Sequence, residues 1–134
     1  MKCKKHPRYS GLRKPRVNCK DCSYIFKTTK KCISDAEDEI AYYKPSRAIS
    51  KAMRELAKAG FSPSGHGVCF KGMEDWSMSK EYKNGYIYVS FCTDMSHSVT
   101  DYFSEEQDPN EYENKRPSAI VKIAKEISKK YDNA

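Results

Sequence analysis

An α+β domain behind a small metal-binding head is the architecture that this 134-residue sequence predicts. Three observations carry it. Two pairs of ligand residues, Cys3-x-x-His6 and Cys19-x-x-Cys22, stand twelve residues apart near the start of the chain. Apolar residues then recur at helical spacing across 46–59 and again after Pro117. Between those two stretches the period drops to two, which places strands between helices. A chain of this length holds one modest domain and a small appendage.

The head comes first. Residues 1–31 are punctuated by Pro7, Gly11 and Pro15 and show no sustained periodicity, so they have no core of their own. A metal supplies the missing order. Two ligands separated by two residues converge on one ion, and two such pairs complete the tetrahedron of a structural zinc. Cys3, His6, Cys19 and Cys22 are the expected ligands, with Cys32 as a substitute if His6 is not used. A full set of protein ligands leaves no position for water, so the zinc is expected to be structural.

The remainder, 32–134, is expected to form the compact domain. Ser34 and Glu37 match a capping box, predicting a short helix over 35–43 that stops before Pro45. A second helix over 46–59 places Ile49, Met53 and Leu56 on one face, with Gly60 suited to the position after its end. His66–Lys71 is the first expected strand. Trp76, Met78 and Tyr82 alternate towards Asn84-Gly85, a type I′ hairpin signal, and Ile87, Val89 and Phe91 share one face of the returning strand. Residues 94–114 are expected as a long connection with a short ordered piece at 99–103. The closing helix starts at Pro117 and presents Ile120, Ile123, Ala124, Ile127 and Tyr131. The predicted order is α-β-β-β-α, an antiparallel meander with helices on one face.

Charge divides the chain as sharply as periodicity does. Residues 1–31 hold eleven Lys or Arg against one acid, Asp21, a local charge of +10. The rest holds 14 basic against 17 acidic residues, and 94–114 contains seven acids and no cation. Arg8, Arg13, Lys14 and Arg16, with Tyr9 among them, suit phosphate contacts and base stacking by the head. Tyr102, Phe103, Glu105, Glu106 and Asp108 suit a basic protein partner or a phosphate mimic. No apolar run approaches the roughly 20 residues of a membrane span, and the start lacks a signal-peptide core. A cytoplasmic protein without membrane contact is expected, in which six cysteines serve as metal ligands and buried thiols.

The segment CKKHPRYSGLRKPRVNCKDC resembles the short zinc-knuckle segment C-x-x-H-P-x-Y-x-G-x-R-x-P-x-x-x-C-x-x-C of small proteins encoded by tailed bacteriophages. Cys3, His6, Pro7, Tyr9, Gly11, Arg13, Pro15, Cys19 and Cys22 carry the match, over the first quarter of the chain. The resemblance implies a phage origin, action in the host cytoplasm and a metal site. Residues 46–131 are similar to double-stranded-RNA-binding domains in their element order. LAKAGFSPSGHGVCF also looks like HicA-type mRNA interferase toxins through Leu56, Ala59, Gly60, Phe61, Gly65 and His66, which makes His66 the candidate catalytic base. This sequence has Gly65-His66-Gly67 where that family has Gly-Ser-His, and it lacks the family's basic strand residues.

The leading expectation is therefore a non-enzymatic phage accessory protein that binds nucleic acid, a host nucleoprotein or both. The alternatives are a ribonuclease using His66 and a pure protein-binding inhibitor acting through the acidic segment. A second zinc held by His66, Cys69, Cys92 and His97 is the lesser expectation beside two buried thiols and two ordinary histidines.

Overall fold

The computed structural model describes residues 2–68, 72–93, 96–103 and 108–133. Cys69, Glu105 and Glu106, among the expected site residues, lie outside them. The elements are α1 (Lys20–Tyr43), α2 (Arg47–Lys58), β1 (Ser62–Val68), β2 (Glu74–Tyr82), β3 (Gly85–Cys92), β4 (His97–Tyr102), β5 (Asn110–Asn114) and α3 (Pro117–Asp132). The α+β class and the helices packed on one side of an antiparallel meander agree with expectation. The sheet has five strands in the order β1-β2-β3-β4-β5 where the sequence predicted three.

The expected helix over 35–43 is the second half of α1. Ser34 is an interior residue of that helix and caps nothing; Cys19 occupies the N-cap position instead. One inward stripe explains the length. Cys22, Ile25, Thr29, Cys32, Ala36 and Ile40 follow one another at spacings of three and four and are all buried. The upper part of the stripe faces the head and the lower part faces the domain core, so α1 runs unbroken through residues 31 and 32. It stops at Lys44, whose left-handed backbone (φ 52°) turns its N–H onto the Ile40 carbonyl ahead of Pro45.

Helix α2 forms as predicted. The Ser46 hydroxyl accepts from the Ile49 N–H at 3.2 Å, and Gly60 takes φ +92° just beyond the helix end. Ile49, Ala52, Met53, Leu56 and Ala57 enter a core built with Phe61, Trp76, Met78, Ile87, Val89, Phe91, Val99, Ile120, Val121, Ala124 and Ile127. Those strand residues share one sheet face, and the helices cover that face alone.

The hairpin between β2 and β3 forms with a different turn. Tyr82 pairs with Gly85, so Lys83 and Asn84 make the loop, and neither Asn84 nor Gly85 has positive φ. Gly85 is needed for another reason. A Cβ there would strike the Tyr102 carbonyl and come within 2.8 Å of the Tyr131 hydroxyl, so the glycine admits β4 and α3 to the start of β3.

The acidic segment is not a simple connection. It contributes β4, with His97 and Val99 buried, and the exposed edge strand β5. Pairing satisfies the backbone groups that a long loop would leave to water. A polar clasp closes the opposite end of the sheet: Lys80 Nζ donates to the Ala59 carbonyl at 2.9 Å and to Ser128 Oγ at 3.0 Å, with Asp132 at 4.0 Å. Tyr82 and Tyr131 stack beside it at 4.5 Å, and Tyr131 donates to Asp101 at 2.6 Å. Among the described residues no helix is long and apolar enough to cross a membrane.

Candidate metal centre

Cys3, His6, Cys19 and Cys22 converge, their ligand atoms all lying within 4.8 Å of one another. Cys3 Sγ is 3.5 Å from His6 Nδ1 and 3.6 Å from Cys19 Sγ, and Cys22 Sγ is 3.3 Å from His6 Nδ1. Bonds of about 2.3 Å to sulfur and about 2.0–2.1 Å to nitrogen put tetrahedral ligand atoms roughly 3.5–3.8 Å apart, which these separations approach. The four residues can hold a metal ion, and the donor set is three thiols and an imidazole.

Local structure supports the convergence. The Tyr9 N–H closes a turn on the His6 carbonyl at 3.1 Å, and the Tyr9 hydroxyl donates to the Arg13 carbonyl across the loop. Cys19 and Cys22 sit at the N-cap and in the first turn of α1. There the Cys22 backbone N–H, aimed at the Cys19 sulfur, lowers the Cys19 thiol to about 6. Burial, together with the neighbouring thiols, pushes Cys22 up to about 12. Crowded thiols resist full ionisation, and a divalent cation among them removes that resistance. Gly11, at φ +80°, seats the loop on α1: a Cβ there would meet Ile25 Cγ2 and Thr29 Oγ1 at 2.8 Å each.

Around this centre Arg8, Arg13, Lys14 and Arg16 are exposed and line a cleft of about 600 Å³ with Leu12 and Val17. Tyr9 is half-buried against Cys3, Cys22 and Ile25, and burial raises its pKa. Its part in shaping the loop is therefore visible in its contacts. Lys20, Tyr24, Lys27 and Lys31 are not among the expected site residues. They fall at i, i+4, i+7 and i+11 of α1 and are exposed, so they form one stripe that leads away from the head. That spacing was the available signal, obscured by placing the first helix after Ser34.

The other candidate residues lie elsewhere. Cys32 is buried in the main core and donates to the Gly60 carbonyl at 3.6 Å, away from the metal centre. His66 bonds Glu74 through Nε2 at 2.8 Å, and its ring stacks on Tyr43 at 3.8 Å beneath the end of α1. Those contacts fix the ring at the β1–β2 pair. His97 is buried and accepts from the Cys92 N–H through Nδ1 at 3.1 Å, and burial lowers its pKa. Among the described residues, neither His66 nor His97 joins a cluster of three or more metal-ligating groups. Tyr102 stacks on Tyr86 at 4.4 Å, Phe103 is half-buried, and Asp108 is exposed. Comparisons with protein-family models, curated proteins and solved structures find no match to this chain.

Proposed function

We propose that this chain is a non-enzymatic nucleic-acid-binding accessory protein with a structural zinc in its head. One observation carries the reading. All eleven cations of residues 2–31 are exposed, and among the described residues none is engaged in an ion pair, although they crowd one end of the molecule. Such a concentration of like charge is unfavourable for the isolated protein and favourable against a polyanion, where condensed counterions are released. The donor set of three thiols and one imidazole suits zinc, whose closed tetrahedron needs no water and supplies rigidity. The zinc-knuckle resemblance adds a phage origin and action in the host cytoplasm to the proposal.

The test is binding of zinc-loaded protein to a labelled oligonucleotide across a salt series. Log affinity should fall linearly with log salt, by roughly 0.7–0.9 per phosphate contacted. Arg13→Ala with Arg16→Ala should lower both the affinity and the slope. Absent or salt-insensitive binding removes the proposal.

A second observation supports a host-protein partner for the other half of the chain. The five strands contain a single cation, Lys80, and it is held in the inward clasp. Alternation places Asp75, Glu81, Glu111 and Glu113 on the face that no described helix covers. Charge complementarity then favours a basic protein surface there. Capture of one host protein that survives nuclease treatment and is lost on Asp108→Asn, Glu111→Gln and Glu113→Gln supports this arm; capture unaffected by those changes removes it.

A further inference from the structure

The metal centre presents a basic loop, and beside it lies a second feature that the loop does not explain. A cleft of about 620 Å³ separates the head from the sheet, with α1 as its shared wall. Its volume falls within the roughly 300–1,000 Å³ of ordinary ligand pockets. Tyr24 stands at the rim, 58% exposed, and Tyr9 lines it from the head side. Its α1 wall is formed by Ile25, Thr28, Thr29 and Cys32.

Helical spacing relates the cleft to the charges. Lys20, Tyr24, Lys27 and Lys31 run along one side of α1, and Thr28 and Cys32 follow round the helix towards the cleft, so the stripe borders the opening. The two surfaces differ in how their charges are arranged. The stripe carries three lysines and no acid, whereas the cleft lining mixes Lys2, Lys58 and Lys80 with Glu81 and Asp132, and Lys80 is already bound to Ala59 and Ser128. A phosphate belongs on the stripe, where the lysines are exposed and no carboxylate stands among them. A nucleobase suits the cleft: the aromatic rim offers a stacking surface, and the hydroxyls of Thr28 and Ser62 in the lining can accept from ring and exocyclic N–H groups.

Resting on the nucleic-acid reading above, we infer that the protein is selective for single strands, with phosphates running along Lys20, Lys27 and Lys31 and one unstacked base turned past Tyr24 into the cleft. A paired base has no means of reaching that site without leaving its duplex, and the loss of stacking makes that costly.

The experiment compares zinc-loaded wild type, Tyr24→Ala, Tyr24→Phe and Lys27→Ala with Lys31→Ala by fluorescence anisotropy. The probes are labelled 15-residue single-stranded DNA, single-stranded RNA and the matching DNA duplex at fixed salt. Single strands should bind at least tenfold more tightly than duplex. Tyr24→Ala should weaken single-strand binding about tenfold and leave duplex binding unchanged, and Tyr24→Phe should restore it. The double lysine change should weaken both. Equal affinity for duplex and single strands, or unaltered single-strand binding by Tyr24→Ala, overturns the inference and leaves the nucleic-acid reading standing. Failure to bind any of the three probes overturns both.

Discussion

The two ends of this molecule are ordered by different physics. The head, residues 2–19 with the first turns of α1, has Cys3, Cys22 and Ile25 as its buried apolar cluster, and two of those three belong to the group of four that could hold a metal ion. Among the described residues the domain buries nineteen in one core cluster, including Trp76, Phe61 and Phe91. A core of that size sustains a fold by removal of apolar surface from water. Three residues cannot, and on the proposed reading a metal held by Cys3, His6, Cys19 and Cys22 supplies what the small cluster lacks. The difference teaches where function can be placed: a surface crowded with cations would be tolerable on a segment that a metal holds, because its order would not be at the mercy of its own repulsion.

Removing the metal is the largest way to test that division. Chelation, or Cys22→Ser, should unfold residues 2–19 and expose the loop to protease. Structural zinc in small domains contributes apparent free energies of about 10–16 kcal/mol, so the loss should be complete. The fluorescence of Trp76, the single tryptophan and buried in the domain, should stay unchanged. A shift in that fluorescence would mean that the inward stripe of α1 couples the two regions into one cooperative unit.

The reverse perturbation is next in size. Phe91→Ala should destabilise the domain by about 3–5 kcal/mol in urea titrations followed by Trp76, because the site is fully buried. Metal content should remain at about one zinc per chain under native conditions. Gly11→Ala acts at the seam between the regions. Positive φ costs a residue with a Cβ about 1–2 kcal/mol, and the contacts with Ile25 and Thr29 add to it. Zinc affinity measured against a competing chelator should fall about tenfold, with the urea midpoint of Trp76 unmoved.

The smallest effect separates the regions by pH. Burial lowers the His97 pKa, so below about pH 6.5 the unfolded chain binds a proton that the folded domain refuses. Stability is therefore fully present above that pH and declines as the pH falls towards the folded value. The slope is at most about 1.4 kcal/mol per pH unit for one site. His97→Asn keeps an acceptor for the Cys92 N–H and should flatten the acid limb of the Trp76 unfolding profile. An unchanged limb would assign the acid sensitivity to other groups.

The sequence disclosed the convergence of Cys3, His6, Cys19 and Cys22, because paired residues at fixed spacing leave little freedom in where they meet. It also disclosed α2, α3 and the central hairpin, where strong apolar periods coincide with caps or turn residues. It hid α1 because the inward stripe uses Cys22, Thr29, Cys32 and Ala36, residues of weak hydrophobic contrast, beneath a dense cover of lysines. The apparent capping box at Ser34 then offered a helix start that the existing helix had no use for. β5 escaped for a related reason: Asn110, Glu111, Tyr112, Glu113 and Asn114 are all exposed, and only pairing with β4 makes them a strand. The cleft beside Tyr24 was beyond reach, since it arises from α1, α2 and β2 together and has no local pattern.

The most direct test of the whole account is a salt-series titration of a labelled single-stranded oligonucleotide with metal-free and zinc-loaded protein. The account predicts tight, salt-dependent binding that appears with about one zinc per chain and is largely lost when the metal is removed. Equal binding by the metal-free protein, or none by the loaded protein, would contradict it.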